Sequence, residues 1–270
     1  SYLPPLMIYV AAGISGLTGI VGVFFIKDYL NLSAAFLAGL GFWAGIPWAL
    51  KMPLGHLVDL IWSRKNYLVF VGAGLIVLSV IIMYGLIIHT ETMASILKVE
   101  TWFIISALLA PVGYVTQDVV ADAMTVEAVP STDDQGNKYS TQQIKIMHTT
   151  MQTLGRFAII GGFVLVALVN VVMFTGVSAL SEPEKIEIYG RIYLYALIIP
   201  IVSVSGVFLA MYLKRQRLEK LKKSGVSDEE LKKLMTEFGV STQPNWWILG
   251  GSLVFVIFTL GVGILNVPFA

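Results

Sequence analysis

The sequence predicts an all-α membrane protein, and three observations carry that prediction. Of its 270 residues, 56% are hydrophobic and only 13% are charged, about half the charged share of an ordinary soluble domain. Seven apolar runs reach the roughly 20 residues a helix needs to cross the hydrocarbon core. The basic residues between those runs gather on alternate sides, as they do in multi-pass proteins. A formal net charge of +1 argues against nucleic-acid binding, which demands a basic face or tail. With no cysteine, the chain has no disulfide framework, thiolate metal site or thiol nucleophile. His56, His89 and His148 are isolated, and no two sit at metal-ligand spacing.

The first run, Pro5 to Ile26, carries Gly13, Gly16, Gly19 and Gly22 at every third position. Small residues along one slowly turning face let a neighbouring helix approach closely; the alternative is a backbone surface lining a solute path. The run is too long, and lacks the basic start, for a cleavable signal peptide. The second run, Ala34 to Leu54, ends in Pro47-Trp48-Ala49-Leu50-Lys51-Met52-Pro53. Pro53 has no N–H for the carbonyl of Ala49, so a kink is expected there, leaving a polar backbone group near Lys51. Lys51 either snorkels to the inner headgroups or turns inward to meet an anion. Gly55, Asp59, Arg64 and Lys65 form a tight turn before the third run, Tyr67 to Ile88. An acid at one helix end with cations just beyond it reads as a gating charge latch, the alternative being a solvated turn.

The fourth run, Trp102 to Val126, ends in Gln117-Asp118-Val119-Val120-Ala121-Asp122, with Glu127 just beyond. An ionised side chain in hydrocarbon costs at least roughly 2.5 kcal/mol, so such acids face a bundle interior, a partner charge or a watery path. Asp118 and Asp122 are four apart and share one helix face, while Glu127 reaches the boundary. The fifth run, Met147 to Phe174, carries Arg156 at the depth of Asp118, so these two are expected to pair. The pair is either a structural salt bridge or half of a coupling device. In the second case one acid pairs with Arg156 and the other titrates, because neighbouring carboxylates raise each other's affinity for protons. Lys51, Arg156 and Gln117 are then the solute contacts, and Asp118 and Asp122 the proton-coupling groups.

The sixth run spans Tyr189 to Leu213 and the seventh Trp246 to Ile264. In the loop between them, Ser227 with Glu230 makes a capping box. Leu231, Leu234, Met235 and Phe238 follow at i, i+3, i+4 and i+7, and Gly239 closes what reads as an amphipathic helix on the cytoplasmic face. That helix is a tether between two bundles or a regulatory element. If the amino terminus is cytoplasmic, thirteen basic residues fall inside and four outside, so the amino terminus is expected inside. Residues 1–213 make a six-helix bundle, 214–244 a cytoplasmic linker, and 245–270 the first helix of a second bundle. Ser1 in place of methionine and the break soon after the seventh run suggest a piece of a longer chain, the alternative being a natural half-size protein. No nucleotide-binding Gly-rich loop, His-Glu-x-x-His or nucleophile–base pair is present, so neither an enzyme nor a cofactor is expected.

Gly16-Leu17, Phe25, Lys27-Asp28 and Leu30-x-Leu32 open a series of motifs. It continues with Pro47-Trp48-x-x-Lys51-x-x-x-Gly55-x-x-x-Asp59 and Arg64-Lys65-Asn66-Tyr67-Leu68, and closes on Gln117-Asp118-Val119-Val120-x-Asp122-x-x-x-Val126-Glu127. Together these resemble the folate-biopterin transporter family of the major facilitator superfamily, over the first four runs and about half of the chain. The resemblance implies a major-facilitator-type bundle, a second bundle, alternating access and proton-linked uptake of an anionic folate or pterin. The home would be a bacterial inner membrane or a plastid or plasma membrane. The chain departs from the superfamily's inner-loop motif in carrying Trp62 where a glycine is expected and Arg64 one place late. A competing expectation is a non-transporting scaffold that delivers a pigment or stabilises a larger membrane complex.

Overall fold

The computed structural model describes residues 2–25, 29, 32–130, 139–223 and 243–266. Among them there is no strand. Six stretches are long and apolar enough to cross a membrane: Ala34–Leu60, Asn66–Ile88, Val99–Ala128, Thr141–Phe174, Glu182–Lys220 and Trp246–Gly263. The chain is thus an all-α protein with the architecture of a multi-pass membrane protein.

The first expected span is divided. Helix α1 (Leu3–Ile14) starts with Pro4 and Pro5 in its first turn, where a missing N–H breaks no helical bond. It gives way to a 3₁₀ turn, Ser15–Thr18, before α2 (Gly19–Phe25). Helix α3 (Ala34–Ala49) is capped by Ser33, whose hydroxyl accepts from the Phe36 N–H at 3.1 Å. It stops at Leu50, and α4 (Lys51–Leu60) begins at once. The interruption falls where Pro53 cannot donate to Ala49, as the sequence predicts. Helix α5 (Asn66–Ile88) and the short α6 (Thr90–Ile96) lead into α7 (Val99–Ala128). Helix α8 (Thr141–Phe174) opens with a Ser140–Gln143 capping box. The sixth expected span is two helices, α9 (Glu182–Ala196) and α10 (Ile198–Lys223). They break at Leu197 because Pro200 has no N–H for the Ala196 carbonyl. The last helix is α11 (Trp246–Asn266). The amphipathic helix expected between Ser227 and Gly239 lies outside the described residues, as do Lys27, Asp28 and Leu30.

Glycines set the closest helix contacts. A Cβ on Gly72 of α5 would lie 2.7 Å from the Gly113 carbonyl oxygen of α7, and one on Gly113 the same distance from the Gly72 carbonyl. Ser79 and Ser106 exchange hydroxyl-to-carbonyl bonds of 2.8 and 3.0 Å across the same pair of helices. On the other side of α1, a Cβ on Gly162 of α8 would lie 2.7 Å from the Cα of Gly13. Of the four-glycine stripe only Gly13 is needed for close packing. Gly16 and Gly22 meet neighbours at ordinary distance, and Gly19 meets nothing within 4 Å.

The two ends of the bundle are distinct. At one end Gly190 of α9 packs on Ile88, and Lys98 starts α7. At the other end Lys51 meets Asp118 and Asp122 of α7, and Lys65 meets Glu127. Large apolar side chains such as Phe157, Phe163 and Val172 of α8 and Trp247 and Phe258 of α11 face outward, a surface suited to hydrocarbon.

Candidate functional site

At the second end, Asp118 and Asp122 stack one turn apart on α7. The break at Leu50 brings the first residue of α4 across to them. Lys51 Nζ lies 2.5 Å from Asp118 Oδ2 and 2.9 Å from Asp122 Oδ2. An ammonium has three N–H donors, so one lysine serves both carboxylates. The acids are not equivalent: the Asp118 side chain is 10% exposed and that of Asp122 48%. Tyr9 of α1 donates its O–H to the second Asp122 oxygen, Oδ1, at 2.6 Å. Gly155 of α8 makes room for that phenol, since a Cβ there would sit 2.8 Å from the Tyr9 ring.

Beside this cluster a cleft of about 590 Å³ is lined by Trp48, Lys51, Met52, His56, Asp122 and Ile248, together with Gly55 and Asp59. Lys51, Asp118 and Asp122 carry a formal charge of −1 between them when all are ionised. An anion entering the cleft therefore competes with two carboxylates for Lys51. Protonating either acid removes that excess.

The structure corrects the expected partner of Asp118. It is Lys51, not Arg156. Arg156 is exposed on α8, forms no ion pair among the described residues and is absent from the cleft lining. Along α8, Arg156 directly follows Gly155, which touches Tyr9, which reaches Asp122. What differs is direction: Gly155 faces the cluster, and the next residue points about 100° away around the helix. The same rotation separates Gln117 from Asp118. Its Nε2 donates to the Val69 carbonyl at 3.1 Å and to Ser203 Oγ at 2.9 Å. The buried amide thus ties α5, α7 and α10 together and does not line the cleft.

The expected latch takes a different acid. Lys65 is buried and lies 2.6 Å from Glu127 Oε1, with its ammonium 3.7 Å from the centre of the Trp62 ring. Burial pushes its ammonium below the ordinary lysine value, while Glu127 pulls the other way. Glu127 is therefore a partner of the α4–α5 turn as well as a boundary residue. Trp62 supplies the face on which Lys65 rests. Asp59 opens onto the cleft, and Arg64 is exposed with no ion pair among the described residues.

Sequence reasoning missed Tyr9. Its signal was present, since a phenol in an apolar run needs a hydrogen-bond partner when buried. Compared with protein-family models, with curated proteins and with solved structures, the chain matches none. The site is defined by its own chemistry: a lysine shared by two acids of unequal exposure, beside an aromatic ring in an open cleft.

Proposed function

We propose that the protein is a secondary transporter that couples protons to a ring-containing organic anion of folate or pterin type, by alternating access. One observation carries this reading: Lys51 is shared between buried Asp118 and half-exposed Asp122 in a cleft that Trp48 also lines. With both acids ionised, the three charges sum to −1 and oppose an anion. A proton on Asp122 brings the sum to zero and loosens one of the two contacts to Lys51. A solute carboxylate then takes that contact, and the loaded site regains a charge of −1. Proton and anion together leave the site's charge as it was, which favours their moving as a pair. Trp48 offers a flat face for a planar ring. The expected inside position of the amino terminus belongs to the same proposal.

Uptake of labelled folate or pterin into vesicles with an imposed pH gradient tests this. Lys51→Gln is expected to abolish saturable uptake. Asp122→Asn is expected to leave solute exchange but remove its acceleration by the gradient. Unchanged gradient dependence in both Asp118→Asn and Asp122→Asn would overturn the coupling assignment.

A further inference from the structure

A side chain of α4 reaches the start of α11. The backbone N–H of Asn245 donates to Nε2 of His56 at 2.9 Å. Asn245 Oδ1 in turn accepts from the N–H groups of Trp247 at 3.1 Å and Ile248 at 3.3 Å, capping the helix. A backbone N–H only donates, so Nε2 carries the lone pair and the imidazole is neutral. A protonated ring has N–H groups at both nitrogens. Its Nε2–H would then oppose the Asn245 N–H, at the positive end of the α11 dipole. His56 is 5% exposed. The contact belongs to one protonation state.

Charged groups stand on two of the elements around His56. On α4 the charged groups are Lys51 and Asp59, and on α7 Asp122 lines the same cleft. Neither α3 nor α11 carries a titratable residue. Lys51 opposes a second cation, but it is already held by Asp118 and Asp122. Asp59 lies one turn along α4 from His56. Away from this end, α11 meets the bundle where Gly263 packs on Phe42 and Trp43. Most of its large side chains are exposed among the described residues. Its first turn places Ile248 in the cleft wall.

We propose that His56 is a proton-sensitive clasp, which holds the first turn of α11 against the cleft while neutral and releases it when protonated. The clasp regulates access to the cleft whatever solute the cleft takes. The absence of cysteine gives a clean background for a distance measurement between spin labels at Met52→Cys and Trp247→Cys, both exposed positions. On acidification from about pH 8 to about pH 5, the range over which histidine changes charge, the distance is expected to lengthen. His56→Gln, whose amide oxygen accepts the same bond without titrating, is expected to stay short throughout. An unchanged distance in the parent protein would overturn the clasp, as would a shift that survives His56→Gln.

Discussion

Lys51 illustrates what a sequence conveys at the scale of one residue. That Asp118 and Asp122 share a face follows from their spacing alone, and that Arg156 lies at their level follows from counting along two antiparallel helices. Which cation turns toward the acids depends on the rotation of each helix about its axis, and no spacing within one helix fixes that. The break before Lys51 decides it. Asp118 is 10% exposed, so removing its partner strands a nearly buried charge. Lys51→Met is expected to destabilise the protein by roughly 1–3 kcal/mol, below the range for fully buried pairs because Lys51 is itself half in solvent. Adding Asp118→Asn should restore most of the loss. Thermal unfolding in detergent checks this, and a double variant no better than the single one would show that Lys51 stabilises by packing alone.

Among the elements, the helix interruptions divide into those with a chemical cause visible in the sequence and those without. The breaks at Leu50 and Leu197 each lie three residues before a proline, Pro53 and Pro200. The 3₁₀ turn at Ser15–Thr18 has no proline to announce it. The expected glycine stripe also proved too coarse, since it gave equal weight to Gly13, which packs tightly, and Gly19, which meets nothing. Gly72 and Gly113, which the sequence did not mark, pack backbone to backbone as well. Gly113→Ala places a methyl group 2.7 Å from a carbonyl oxygen and must push α5 and α7 apart. A loss of about 1–3 kcal/mol is expected, whereas Gly19→Ala at an open position should cost far less; equal melting temperatures for the two variants would contradict this packing. The turn between α4 and α5 yields a pH dependence. Burial holds Lys65 below its ordinary value of 10.5, with Glu127 and Asp59 opposing and Lys214 reinforcing the shift. Between the lowered value and 10.5 the unfolded chain binds more protons than the folded one, so stability attributable to Lys65 rises with pH across that window. The melting temperature of the parent protein should therefore gain on that of Lys65→Met as pH climbs toward 10.5, and a constant difference would rule the effect out.

For the molecule as a whole, the fold class was legible because hydrocarbon imposes a length and a polarity on every helix that crosses it. The distribution of charge follows the same constraint. Helix α7 has 30 residues, about 45 Å at 1.5 Å per residue, against roughly 30 Å of hydrocarbon, so its two ends project. Lys65 and, by its effect on Lys65, Lys214 gather at the Glu127 end; Lys98 stands at the opposite end. Basic residues favour the cytoplasmic side, and the end that carries Lys65 belongs to the group of thirteen rather than the group of four. That end should therefore face the cytoplasm. Ser63 and Ser95 are exposed at the two ends, and a chain without cysteine allows each to be labelled alone. In intact cells a membrane-impermeant maleimide is expected to label Ser95→Cys at once and Ser63→Cys only after permeabilisation. The reverse pattern would invert the protein in its membrane and direct the Lys51 cleft to the other compartment, reversing the side from which the proton and its anion enter together.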